Sequence, residues 1–208
     1  MQNGLLIAFA GVDGSGKTTQ AKLLEKWLEK QRLSVFNYPK IPSYGSWLLD
    51  NISITNGFGN EGKDRFSKEF VSLVKAIDRV RGADEFLVKT LETRSIIITD
   101  RYFYCDLAKA CREEISCVAE LQLIYSEMPE PDYIIYLDTP VNKVQDRQML
   151  REKNTEEYQD IVNLSECYRK LDSYSKFIIV ENNLDIESVH NKIISIMEIK
   201  LNERGFKV

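Results

Sequence analysis

The chain has 208 residues, 43% of them hydrophobic, and a formal charge of −4, with its lysines and arginines scattered along its length. That is enough to bury a sizeable core in a single domain over 1–208, and with no massed positive charge it argues against nucleic acid as a partner. No run approaches the roughly eighteen apolar residues that span a bilayer, and Met1-Gln2-Asn3-Gly4 lacks the positive start of a signal peptide, so a cytoplasmic protein with no membrane association is expected.

Cys105, Cys111, Cys117 and Cys167 make no C-x-x-C pair and have no flanking histidine. Reduced, largely buried thiols are therefore expected, rather than a zinc site or a disulfide framework. Leu5 to Ala10 is an apolar run of buried-strand length, and Ala21, Leu23, Leu24, Trp27 and Leu28 then recur at helical spacing. Between them, Gly11-Val12-Asp13-Gly14-Ser15-Gly16-Lys17-Thr18 satisfies G-x-x-x-x-G-K-[ST]. Glycines let such a loop curl until successive N–H groups converge on one anion, with the positive end of the following helix behind them. Lys17 adds a point charge for the outer phosphates and Thr18 a hydroxyl for magnesium. Gly11, Asp13, Gly14, Ser15, Gly16, Lys17, Thr18 and Thr19 are thus expected around the phosphates of a nucleotide. What happens to the phosphate is left open, since switches, pumps and kinases share the pattern.

Val35 to Tyr38 reads as a short second strand stopped by Pro39, with Pro39 and Pro42 fixing a turn. Trp47, Leu48, Leu49 and Ile52 suggest a short helix, and the polar, glycine-containing segment from Ser53 to Gly62 a mobile loop. From Lys63 to Thr93 the pattern is helical, with Phe66, Phe70, Leu73, Val74, Ile77 and Val80 as its apolar face and Gly82 as a bend. Ser95 to Asp100 is a β-branched run that ends in an acid, and a buried parallel strand delivering a carboxylate at its C-terminal end is where open α/β sheets place ligands. Leu107 to Ser126 reads as one helix closed by Pro129 and Pro131, and Tyr133 to Asp138 as a fourth strand with Pro140 opening the next helix. Arg147 to Asp160 is dense in charge, a helix is expected from Ile161 to Ser175, and Phe177 to Val180 is the fifth strand. A last helix runs from Ile186 to Leu201, with His190 as a surface residue. Strands alternating with helices predict an α/β fold around a five-stranded, parallel, doubly wound sheet.

Several blocks stand in a telling order: the phosphate loop with Asp13 and continuing through Gln20, Ala76-Ile77-Asp78-Arg79, Asp100-Arg101-Tyr102 after a strand, and Pro131 to Asp138 followed by Pro140, Arg147 and Arg151. Over nearly the whole chain they resemble the thymidylate kinase family of P-loop nucleoside-monophosphate kinases. The resemblance implies ATP as phosphate donor, Mg2+, a nucleoside monophosphate as acceptor, dTMP above all, and a homodimer to which the helix from Lys63 to Thr93 offers apolar surface.

Phosphoryl transfer brings anions together, so it is driven by positioning and positive charge, and arginine forks suit phosphate oxygens. By resemblance, Arg79 and Arg101 clamp the acceptor phosphate, Asp13 meets the sugar 3′-hydroxyl, and Tyr38, Lys40 and Tyr102 complete the acceptor site. Thr18 and Asp100 serve the metal. The catalytic set is Lys17, Asp100, Arg101 and, from a lid at 147–160, Arg147 or Arg151, because Gly14 stands where part of the family has an arginine. The chain departs from the family at Lys75 (usually aromatic), Cys105 (usually serine), Ala108-Lys109 (usually polar or aromatic) and Lys40 (usually arginine). Another pyrimidine monophosphate or a deoxynucleoside is the alternative acceptor. A nucleotide-dependent switch is the rival from a different class, although Asn182-Asn183-Leu184-Asp185 lacks the lysine of the N-K-x-D motif of GTPases and reads as a turn.

Overall fold

A computed structural model describes residues 4–38, 44–58, 65–93, 96–150 and 156–208. Five strands, β1 (Leu5–Ala10), β2 (Val35–Tyr38), β3 (Ile96–Asp100), β4 (Tyr133–Asp138) and β5 (Phe177–Glu181), form one sheet in the order β2-β3-β1-β4-β5. Every neighbouring pair is parallel, as helical crossovers between successive strands allow. The nine helices of the described residues are α1 (Lys17–Lys30), α2 (Tyr44–Thr55), α3 (Lys68–Gly82), α4 (Lys89–Thr93), α5 (Phe103–Arg112), α6 (Val118–Tyr125), α7 (Val141–Met149), α8 (Tyr158–Arg169) and α9 (Ile186–Glu203).

Alternation along the strands feeds two cores. Leu6, Ala8 and Ala10 of β1 face a layer built on α5, α6 and α8, while Leu5, Ile7 and Phe9 face Ala21, Leu24 and Leu28 of α1 and Val189, Ile193, Met197 and Leu201 of α9. A side chain such as Leu24, with no exposed surface, contributes about 1.5–3 kcal/mol by its burial. Because α1, after β1, and α5, after the adjacent β3, pack on opposite faces, a crevice opens at the carboxyl ends of these two strands.

Four expectations about the elements are corrected. The segment from Ser53 to Gly62 is not a loop at its start: Ser53–Thr55 complete α2 and Ser53 is fully buried, while 59–64 lie outside the described residues. The face forecast for the long helix is turned in part: Phe70 and Ile77 are exposed and the buried positions of α3 are Val71, Ala76 and Gly82, while Leu73 and Val80 pack against the core as expected; α3 packs chiefly on α2 and α6 and is tied to α5 through Arg79 and Asp106. The helix does widen after Gly82 into a π-helical segment, Ala83–Val88.

The single helix expected from Leu107 to Ser126 is two, separated by a Schellman turn in which Ile115 N–H donates to Ala110 O and Glu114 N–H to Cys111 O. Likewise, α8 ends at Arg169, and a 3₁₀ turn, Asp172–Lys176, follows. His190 is partly buried rather than superficial. All four cysteines are free, Cys105 and Cys167 buried and Cys111 and Cys117 only partly so. Cys111 and Cys167 bring their sulfurs to 2.7 Å between α5 and α8, and burial pushes the Cys167 thiol up to about 12.

Candidate active site

The loop from Gly11 to Gly16 leaves β1 in backbone conformations that favour glycine, with φ of 137° at Gly11, 93° at Gly14 and 95° at Gly16. A Cβ on Gly11 would lie 2.9 Å from Ser15 Oγ and 3.0 Å from the Leu137 carbonyl oxygen, so β4 leaves that position no room for a side chain. Gly16 is the N-cap of α1 and brings the first N–H groups of that helix to the mouth of the crevice.

Lys17 is 4% exposed, and its ammonium folds back over the loop, donating to Gly11 O at 2.9 Å and Val12 O at 2.7 Å. Burial, and then the neighbouring Arg101 charge, hold its pKa below the usual lysine range. A phosphate group arriving here would take over those hydrogen bonds and restore the preference for the charged form.

Several buried side chains from distant segments fasten the loop. Asn182, just after β5, and Thr139, just after β4, both donate to Ser15 O. Gln148 of α7 donates to Asp13 O at 2.8 Å, and Tyr168 of α8 donates to Gly11 O at 3.1 Å. None of these four was anticipated as a site residue. Gln148 also accepts from the backbone N–H of Glu156, whose carboxylate meets Arg112 at 3.0 Å, so both flanks of the segment 151–155 are tied to the loop and to the end of α5.

Asp13 is the electrostatic centre. Arg101 Nη1 lies 2.6 Å and Lys17 Nζ 3.9 Å from its Oδ1, and Lys109 Nζ lies 3.8 Å from its Oδ2. Burial alone would raise this carboxyl, but Arg101, Lys17 and Lys109 outweigh it and hold the pKa below the usual carboxylate range. Arg101 sits at a left-handed φ of 86°, unusual for a residue with a Cβ. On the far flank, Arg147 of α7 donates to Gly14 O at 3.4 Å and Ser15 O at 3.3 Å, so its guanidinium lies on the loop. Thr18 donates its hydroxyl to Asp100 Oδ2, while the other oxygen of this largely buried carboxylate has no hydrogen-bond partner among the described residues. A hydroxyl beside an unshared buried carboxylate oxygen suits a hard cation that keeps most of its ligands as water and phosphate oxygen.

The other expected residues divide. Arg79 is committed to Asp106 of α5, with Nε 2.8 Å from Oδ2, and Tyr125 donates to the same carboxylate; it is not among the cations on Asp13. Tyr38 closes β2 opposite Thr99, beside the end of β3. Thr19 is part of the first turn of α1 and is partly buried. Tyr102 does not reach the crevice: it is 2% exposed and its hydroxyl donates to Pro129 O at 2.6 Å, so its expected role at the acceptor is replaced by one in the core. Lys40 and Arg151 lie outside the described residues, as do 151–155 of the expected lid.

A nucleotide-binding loop braced in this way, with cations converging on it from β3, α5 and α7, fits a phosphoryl-transfer enzyme, and comparison with known proteins decides which kind. The family model described as thymidylate kinase matches residues 9–193. The chain belongs to the thymidylate kinase family. It is 32% identical to a probable thymidylate kinase of Thermococcus kodakarensis, over 96% of this chain and 100% of that one. A probable thymidylate kinase of Pyrococcus abyssi is also 32% identical, over 95% and 98% of the two chains. The solved structure of thymidylate kinase from Candida albicans, 20% identical, superposes with a TM-score of 0.73 over 96% of this chain and 93% of that one, which shows a shared fold. Membership in the thymidylate kinase family makes the chain a nucleoside-monophosphate kinase, a transferase that binds nucleotides. No helix of the described residues is long and apolar enough to cross a membrane.

Proposed function

We propose that the protein transfers the γ-phosphoryl group of ATP to dTMP, giving dTDP and ADP, with Mg2+ at Thr18 and Asp100. The reading rests above all on Asp13 standing between Lys17 and Arg101. Lys17 belongs to the loop and serves the donor phosphates, whereas Arg101 comes from the end of β3 and serves the acceptor, so the carboxylate keeps two cations in one crevice until two anions replace it as their partner. Arg147 neutralises charge on the transferring group from the α7 side, and Asp13 is then free to receive the sugar hydroxyl. Thr18 and Asp100 would hold the magnesium, which would offset the negative charge of the donor phosphates. Exclusion of water from the crevice favours transfer to the acceptor over hydrolysis.

A panel of acceptors with ADP release as readout tests this. Supplied with ATP and magnesium, the protein should release ADP when dTMP is added and stay at blank level without an acceptor. If dTMP gives no more ADP than the blank while another pyrimidine monophosphate or a deoxynucleoside does, the acceptor is reassigned. Cytoplasmic location and pairing of two copies belong to the same reading. For pairing, the support is family resemblance together with Trp47, Phe70 and Ile77, exposed on the mutually packed α2 and α3. Sedimentation at the mass of one chain at micromolar concentration would remove the dimer.

A further inference from the structure

Lys109 occupies a place in the crevice that neither the phosphate loop nor the arginines explain. It lies on α5, whose opposite side is anchored by the buried Tyr104, Leu107, Ala108 and Ala110. Its position three residues after Asp106 puts both on one strip of the helix, between Asp13 on the phosphate loop and Arg79 on α3. Its ammonium approaches Asp13 only to 3.8 Å, a charge contact rather than a hydrogen bond, and its side chain is 38% exposed. Lys17 and Arg101 meet the opposite oxygen of the same carboxylate. One carboxylate thus gathers three cations, and the most exposed of them stands on the side away from the loop lysine.

We propose that Lys109 is a binding residue for the acceptor's phosphate, a third cation that turns from Asp13 onto that group as it enters. The inference rests on the kinase reading given above and narrows the question of how the acceptor is held. A monophosphate ester carries between one and two negative charges at neutral pH, more than Arg101 alone can balance. A flexible four-carbon stem ending in a point charge can follow such a group without the fixed approach that an arginine fork demands. Arrival of the phosphate would also loosen the hold of Lys109 on Asp13, freeing a carboxylate oxygen for the sugar. The acceptor rather than the donor is specified because Lys109 lies on α5, the helix that directly follows Arg101 in the chain. Lys17 and Arg147, by contrast, lie on the carbonyls of the loop itself.

The experiment compares wild type, Lys109→Met and Lys109→Arg for kcat, for KM of dTMP and of ATP, and for competitive inhibition by thymidine, which has the base and sugar but no phosphate. Loss of a charge-assisted contact to phosphate should raise KM for dTMP about tenfold or more in Lys109→Met. KM for ATP and inhibition by thymidine should stay within about twofold, and Lys109→Arg should recover most of the loss. An unchanged KM for dTMP, an equal weakening of thymidine, or a rise confined to ATP would overturn the assignment. Wild-type protein with no acceptor-dependent turnover would instead remove the kinase reading, and that is seen before any variant is measured.

Discussion

Arg101 reaches from the end of β3 to the phosphate loop and places Nη1 2.6 Å from Asp13 Oδ1, from a backbone held at φ 86°. Its own N–H donates to Phe9 O at 3.2 Å, so the strained conformation is pinned by β1. Left-handed backbone in a residue with a Cβ costs about 1–2 kcal/mol, and glycine is largely free of that cost. Arg101→Gly should therefore be about 1 kcal/mol more stable to urea than Arg101→Ala, while both lose on the order of a thousandfold in kcat/KM. Equal stability of the two variants would show that the conformation is not strained; turnover near wild type would remove Arg101 from the reaction.

Gly11 is tightly enclosed. Alanine there would push a Cβ to within 3.0 Å of the Leu137 backbone oxygen and 2.9 Å of Ser15 Oγ, at a φ that disfavours it. A backbone oxygen inside the sheet cannot give way, so the loop must. Gly11→Ala should cost about 1–3 kcal/mol in chemical denaturation and weaken ATP at least tenfold in a direct binding titration. Wild-type ATP affinity in this variant would mean that the loop tolerates another path.

Asn182 bears on the loop from 167 positions away, holding Ser15 O and meeting Thr139 Oγ1 at 3.1 Å. Replacing it with leucine leaves the Ser15 carbonyl oxygen with one donor fewer beside Thr139 and Arg147, a loss of about 0.5–1.5 kcal/mol. Asn182→Leu should raise KM for ATP more than KM for dTMP, since the distortion falls on the donor side. The opposite order would place Asn182 with the acceptor.

The lowered pKa of Asp13 makes a pH prediction with a definite sign. A carboxyl whose folded pKa lies below its unfolded value of about 3.9 adds stability above that pH and loses it as pH falls through the folded value. The stability advantage of wild type over Asp13→Asn, measured by urea denaturation, should be constant near neutrality and shrink below about pH 4. An advantage that instead grows on acidification would reverse the assignment of charge at Asp13.

How far all this can be read from the chain depends on the range of the interactions. The three central strands and the phosphate loop are legible because a doubly buried strand is a continuous apolar run and the loop's geometry needs glycine at fixed spacing. The break between α5 and α6 is not, because Glu114 takes the left-handed position (φ 54°) where glycine would have announced it; Arg32 does the same after α1 (φ 61°). Arg101 and Lys17 follow from local motifs. By contrast, Gln148, Thr139 and Asn182 act on the loop across 135, 124 and 167 positions, and a lone polar residue at such a distance carries no periodic signal. Tyr102 shows the converse: a motif position suggests a ligand contact, yet a hydroxyl on Pro129 O and a buried ring serve packing. Asp106 escapes notice because pairing with Arg79 emerges only once α3 and α5 are adjacent.

The fate of the γ-phosphoryl group is the decisive measurement. With ATP labelled at that phosphate, magnesium and dTMP, the label should appear in dTDP in step with ADP, and inorganic phosphate should stay near background. Label released chiefly as inorganic phosphate, at a rate indifferent to dTMP, would mean that the cations around Asp13 serve a nucleotide hydrolase and not a transfer between two nucleotides.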